Sequence, residues 1–307
     1  MAVAELEAEG LRTEEPESWL RITWRRLRRH KLALMGIGII LLLVLATIFA
    51  PLLTPYDPIR DLEPTNSSAG PSRDHWMGTD RVGRDVFTRL LYAGRISLTV
   101  AFVVVILTEL SGAFIGAISG YYGGRVDAII QRATEFLLTL PLLPLLLAVA
   151  AILRGVYIPG LPPEWSSAVV VIIVLTLFGW MAPCRQARGM VLSLREREFT
   201  EASRALGLSD LRIIIRHMLP NALPPLIVDA TLALGQTIIL ESSLSFLGLG
   251  IQPPVATWGT MLFEYQREMW TQPLSVFFPG LTIFFASLSF NYLGDGLRDA
   301  LDPRLKM

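Results

Sequence analysis

Lysine, histidine, cysteine and serine are the residues whose spacing most often gives chemistry away, and in this chain their spacing is uninformative. A phosphate-gripping loop needs a lysine after a glycine-rich turn and before Ser or Thr, so that backbone amides and the ammonium hold the phosphates. The two lysines are Lys31, preceded by RRLRRH, and Lys306, preceded by LDPRL. Neither fits, so ATP hydrolysis by that route is excluded for this chain. No G-x-S-x-G elbow and no H-E-x-x-H pair occurs, which removes the usual support for an intramembrane enzyme. Cys184 has no internal partner, and His30, His75 and His217 lie far apart, which argues against a structural metal site.

Ionisable groups inside apolar stretches are the second kind of candidate, because charge is costly in hydrocarbon and is kept where it pairs or handles ions. They are Glu109, Glu135, Asp229 and Glu241. Glu135 and Glu241 fall near the ends of their stretches. Asp229, Gln236 and Ser243 recur every seven residues and share one helix face. Such a stripe can line a translocation path or hydrogen-bond to neighbouring helices. The acids lack the basic partners and the clustering of a proton relay.

The elements that would position these groups are membrane spans. The chain is 52% hydrophobic over 307 residues, which makes a bilayer the first solvent to consider. Charges balance at 27 basic against 27 acidic, which removes the usual warrant for a nucleic-acid partner. Six runs, 33–53, 96–119, 133–153, 168–188, 222–246 and 276–296, are long and apolar enough to cross roughly 30 Å of hydrocarbon. Pro141 and Pro144 interrupt the third, and Pro224 and Pro225 open the fifth. With the N-terminus inside, 19 basic residues fall in cytoplasmic segments and 8 outside, as the positive-inside rule requires. Residues 1–32 then form a cytoplasmic tail, acidic to about residue 17 and basic before the first span. Residues 54–95 form an extracytoplasmic segment, 96–297 a core of five spans, and 298–307 a second cytoplasmic tail.

Between spans four and five, residues 195–220 (REREFTEASRALGLSDLRIIIRHMLP) are helical in pattern and too polar to span. Phe199, Ala202 and Leu206 share one face of a first short helix, and Gly207 can supply the left-handed turn. Ser209 or Asp210 can cap a second helix carrying Leu211, Ile214, Ile215, Met218 and Leu219 at helical spacing, which Pro220 is expected to end. That apolar side requires burial against the parent domain, lipid headgroups or the groove of a partner.

The sequence Glu201-Ala202-Ser203, then Gly207, then Leu219-Pro220 resembles the EAA loop of ABC importer permeases, with the same offsets. Ser203 stands where Ala is usual and His217 where an aliphatic residue is usual. Residues 75–98 resemble the G-T-D-x-x-G-R-D-V signature of the dipeptide, oligopeptide and nickel branch through Gly78, Thr79, Asp80, Gly83, Arg84 and Asp85. Residues 241–262 and 291–306 are similar to further segments of that branch. The resemblance implies an all-α membrane protein of type I importer permease architecture, with six transmembrane helices and a cytoplasmic coupling-helix loop at 195–220. In that setting Glu201 and Ala202 would make contact with an ATPase subunit, and Gly207 and Pro220 would make the turn and the stop. The implied partners are a second, homologous permease, two ATP-binding subunits that use ATP and Mg, and an extracytoplasmic solute-binding protein; the chain itself would bind no cofactor. The signature's alternating charges read as paired scaffolding, with contact to the binding protein as the alternative. An ion-coupled secondary transporter and a membrane-embedded assembly factor are the rival classes.

Overall fold

Helix boundaries along this chain follow the residues that can and cannot supply backbone hydrogen bonds. The computed structural model describes residues 19–156 and 158–301; the acidic tail expected over residues 1–17 and the last residues of the C-terminal tail lie outside them. Helix α1 (Trp19–Leu27) carries basic residues up to a short turn. There His30 Nδ1 accepts the Ala33 N–H at 3.1 Å and caps α2 (Lys31–Ile48). The first span, expected over 33–53, is shorter than that: α2 ends at Ile48 and a single turn, α3 (Ala50–Leu53), follows. Pro51 has no N–H to offer Thr47. The Arg95 guanidinium serves the helix end instead, donating to the carbonyls of Thr47 at 2.6 Å and Ile48 at 2.7 Å.

Helix α4 (Val86–Tyr122) has 37 residues and is about 55 Å long, far beyond the thickness of hydrocarbon and beyond the expected 96–119. Asp85 starts it by accepting the Thr88 N–H at 2.7 Å. Gly123, at φ +64°, ends it. The third run is not one helix: α5 (Gly124–Thr139) and α6 (Leu142–Ile152) meet at 92°. Pro141 forces the residue before it out of the helical region, and Leu140 is extended at φ −77°, ψ 139°. Helices α7 (Pro163–Gly179) and α8 (Met181–Arg195) are separated only by Trp180 and pass as one apolar helix from residue 165 to 195.

After α8 come α9 (Glu198–Ala205), α10 (Asp210–Ile213), a π turn at Ile214–Met218, and α11 (Leu219–Phe246). The last three form one 37-residue helical rod, Asp210–Phe246. Helix α12 (Trp258–Tyr265) packs against α4, α11 and α13 (Pro273–Leu301), the last described helix. By length and composition five of these helical stretches can cross a membrane, and the bent α5–α6 pair, counted as one broken span, is the sixth. The described residues contain no strand, only an isolated bridge between Thr79 and Asp85.

Helix α4 is central and α2 peripheral: 44% of the apolar window of α4 is buried against 17% of that of α2. The main core gathers Leu90, Ala101 and Val105 of α4 with Leu234 and Ile238 of α11, Trp258 and Met261 of α12, and Phe290 of α13. Against α8, α4 makes its closest approach through Gly112, Gly116 and Gly120, spaced four apart on one face. A Cβ on Gly116 would stand 2.1 Å from the Cys184 carbonyl oxygen. Without a hydrophobic force between helices in lipid, such small-residue contacts are what let two backbones pack. Gly116→Leu is therefore expected to destabilise the detergent-solubilised protein by about 1–3 kcal/mol or more through overpacking, seen as a lower thermal unfolding midpoint. Gly38→Leu, at a site with nothing within 4 Å of its Cβ, should leave that midpoint unchanged.

Candidate functional site

The 195–220 hairpin is held from one side and bare on the other. Thr200 and Ser203 form the inner edge of α9, where the Thr200 hydroxyl donates to the Leu194 carbonyl at 2.9 Å and the Ser203 hydroxyl to the Phe199 carbonyl at 2.7 Å. Gly207 takes φ +75°. The bonds Leu208 N–H to Ser203 C=O and Gly207 N–H to Arg204 C=O close a Schellman turn there. On the second arm Ile213, Ile214 and Met218 pack with Ala117, Tyr121 and Val191. Tyr121 adds polar anchors: its hydroxyl donates to Asp210 at 2.8 Å and accepts from Arg204 Nε at 3.2 Å.

Outward, Glu201 and Ala202 are exposed, as are Leu206 (82%), Leu211 and Ile215. The apolar set read from the sequence is thus divided, with Ile214 and Met218 anchored in the bundle and Leu211 and Ile215 facing out. Leu219 is half-buried and Pro220 exposed. Pro220 does not end the helix, contrary to expectation. The turn before it widens to π form, with the Leu219 N–H reaching back five residues to the Ile214 carbonyl, and the helix continues. A missing N–H is tolerated where the ladder is already shifted, and the Asn221 side chain donates to the His217 carbonyl at 2.6 Å.

Along the rod, Asp229 and Gln236 line a cavity of about 290 Å³ with Thr108, Glu109 and Thr237. Ser243 is not among its lining residues; its hydroxyl turns back to the Ile239 carbonyl at 2.7 Å. The structure also brings together two acids that the sequence left apart: Glu109 of α4 and Asp229 of α11 line the same cavity. Glu135 is exposed.

At the other end of the bundle the signature residues fold over the start of α4. Gly78 and Gly83 take φ +79° and +82°, and a Cβ on Gly83 would lie 2.1 Å from the Glu63 carbonyl oxygen. Thr79, Asp80 and Asp85 are buried. Asp80 accepts the N–H groups of Val82 and Arg84 at 3.0 Å each, Arg84 Nε at 2.8 Å and Arg89 Nη1 at 2.7 Å. Arg84 and Arg89 both donate to Glu264 Oε2, at 3.0 and 2.6 Å, and Arg89 to the Tyr265 hydroxyl at 3.2 Å. Asp85 also meets His75 Nδ1 at 3.0 Å. Burial pushes the Tyr265 hydroxyl up and the nearby Glu268 carboxyl up, the latter against the opposing pull of Arg81 at 3.2 Å.

Sequence reading missed Arg89, Glu264 and Tyr265, although a lone arginine followed by Leu90 and Leu91 was the available signal for the first. Among the described residues no group of three His, Cys, Asp or Glu could hold a metal ion.

Helices long and apolar enough to cross a membrane, one pair of them sharply bent, define a multi-pass membrane protein. A family model described as "Binding-protein-dependent transport system inner membrane component" matches residues 112–307, and one described as "N-terminal TM domain of oligopeptide transport permease C" matches residues 18–71. The chain belongs to the family of binding-protein-dependent transport system inner membrane components. It is 41% identical to the dipeptide transport system permease protein DppC of Alkalihalophilus pseudofirmus, over 97% of this chain and 98% of that one. It is 40% identical to DppC of Bacillus subtilis, over 94% and 87% of the two chains. With the glutathione transport system permease protein GsiD of Escherichia coli it shares 40% identity over 92% and 90%. The inward-facing MetNI methionine ABC transporter has a chain of the same fold, with a TM-score of 0.51 at 18% identity over 69% of this chain and 96% of that one.

The Asp80–Arg89–Glu264 cluster generates a direct expectation. Arg89 is 1% exposed, and removing one partner of a buried ion cluster leaves the others uncompensated, typically at about 3–5 kcal/mol. Arg89→Met should lower stability on that scale in a denaturant titration of the solubilised protein. Arg60→Ala, on the exposed loop, should stay within about 0.5 kcal/mol of the parent.

Proposed function

We propose that this chain is one of two channel-forming subunits of an ATP-driven importer for peptides or related small solutes, with both termini and the 195–220 hairpin in the cytoplasm. The hairpin docks into a cleft of an ATP-hydrolysing subunit. ATP and Mg are used there and not by this chain. The observation that carries the reading is mechanical: Leu206, Leu211 and Ile215 form a bare apolar ridge on a hairpin that is otherwise tied down, and its second arm runs unbroken into the rod Asp210–Phe246. A push on the ridge is delivered to the helix that bears Asp229 and Gln236. Closure of the ATPase pair would swing this rod and its counterpart in a second, homologous permease, and so switch the path between inward and outward access. A solute-binding protein delivers cargo at the opposite end. The names of the relatives, which carry dipeptides and glutathione, support a peptide-like cargo.

At that opposite end Arg84 and Asp85 hold the fold, so contact with the binding protein falls to exposed neighbours such as Arg81 and Val82. Alanine at Arg84 and Asp85 should then impair transport through loss of the folded segment.

One observation favours an ion-coupled carrier instead, namely that two acids, Glu109 and Asp229, line one cavity inside the bundle. Uptake that collapses on dissipating the proton gradient with ATP held constant would establish that reading. Uptake that follows ATP alone would remove it.

Two substitutions test the coupling role. Leu206→Glu should weaken retention of the ATPase subunit by about 2 kcal/mol, roughly thirtyfold, with membrane insertion unchanged. Gly207→Val places a β-branched residue at positive φ and should abolish uptake while the protein still reaches the membrane. Uptake at the parental level in both variants would refute the docking role of the hairpin.

A further inference from the structure

Glu241 is an acid buried in the membrane bundle that the transport reading leaves without a task. It is 0% exposed, and its described partners are all hydroxyls: Ser245 donates at 2.8 Å, Ser97 at 3.3 Å and Ser242 at 3.5 Å, with the Thr257 hydroxyl a further neighbour. No Lys, Arg or His pairs with it among the described residues. A buried carboxyl is tolerated only where its hydrogen bonds are met, and here the donors come from separate elements. Ser97 belongs to α4. Ser242 and Ser245 belong to α11. Thr257 is the N-cap of α12.

The same hydroxyls serve a second purpose. Ser97 Oγ accepts the N–H of Trp258, the first residue of α12, at 3.2 Å. Ser245 Oγ accepts the Ile251 N–H at 3.3 Å, holding the turn that leads there. The Trp258 indole N–H then donates to the Leu90 carbonyl of α4 at 3.2 Å. The far end of α12 carries Glu264 and Tyr265, which grip Arg89 and Arg84 and, through them, Asp80. Polar contacts thus tie the rod to the start of α12 and the far end of α12 to the segment that closes this end of the bundle, with the helix itself joining the two. Glu241 lies 31 positions after Asp210, about 45 Å along the rod from the hairpin.

We propose that Glu241 is a positioning residue that clamps α12, and with it the Gly78–Asp85 cap, to the α11 rod, so that the cap moves when the hairpin is pushed. The inference rests on the importer reading and deepens it: one rod carries both the coupling ridge and the latch on the cap. A neutral isostere preserves such a clamp, because hydroxyls can both donate to and accept from an amide. Truncation removes it.

The test uses the assembled complex, with Cys184→Ala in this chain and a single reporter cysteine at Val82 on the cap or Leu223 on the rod, both exposed. Maleimide labelling rates are compared with and without ATP plus vanadate. In the parent and in Glu241→Gln, both reporters should respond to nucleotide. In Glu241→Ala the rod reporter should still respond and the cap reporter should lose its response. A cap that still responds in Glu241→Ala would overturn the proposal, as would Glu241→Gln behaving like the alanine variant, or loss of both responses together, which marks a general structural defect. If Glu241→Ala does not assemble, Ser97→Ala, which removes the link between Glu241 and the Trp258 N–H, should give the same separation of cap from rod; retention of the cap response there would equally overturn it. Silence of the rod reporter in the parent complex would instead count against the importer reading itself.

Discussion

The demand that every backbone N–H and C=O in hydrocarbon find a partner within the protein governs the rest of this structure. It makes the described chain helical and decides where helices can stop. At two interruptions a donor or a changed ladder is supplied. Arg95 covers the carbonyls at the end of α2. The π turn absorbs Pro220. Only at Pro141 does the chain fold back sharply, and there the preceding residue is held extended.

The same economy explains why polar residues concentrate at the two ends and in one cavity. At the cap, charges that would be weak on an open surface are stacked around Arg89, whose Nη1 meets Asp80, Glu264 and Tyr265 together. At the hairpin, neutral and charged groups around Tyr121 do the anchoring and leave leucine and isoleucine outside. One end is therefore built for internal rigidity and the other for contact. Long helices join them: α4 begins at the cap and ends beside the hairpin, where Tyr121 sits one residue before its C-terminus.

This arrangement fits a machine in which the engine is separate from the channel. Stiff helices transmit displacement only if they are packed closely, and α4 against α8 is packed to glycine distance. The exposed ridge at the hairpin rests on three apolar side chains, Leu206, Leu211 and Ile215, so the proposed docking depends on a few anchors.

The sequence by itself determined the membrane class, the number of apolar runs, the hairpin with its turn at Gly207, and the family, because hydropathy, glycine and motif spacing are local properties. It placed Asp229 and Gln236 on one helix face, since seven residues nearly complete two turns. Tertiary structure alone decided that Ser243 leaves that stripe, that Glu109 and Asp229 line one cavity, that Pro220 is carried within a continuous helix, and that the third span is broken at 92°. It alone brought Glu264 and Tyr265 across some 180 positions to Arg84 and Arg89. The physical reason is common to these cases. A helix writes its own face into the chain, but which faces meet, and which lost hydrogen bonds are replaced by a distant side chain, is settled only when the helices are packed together.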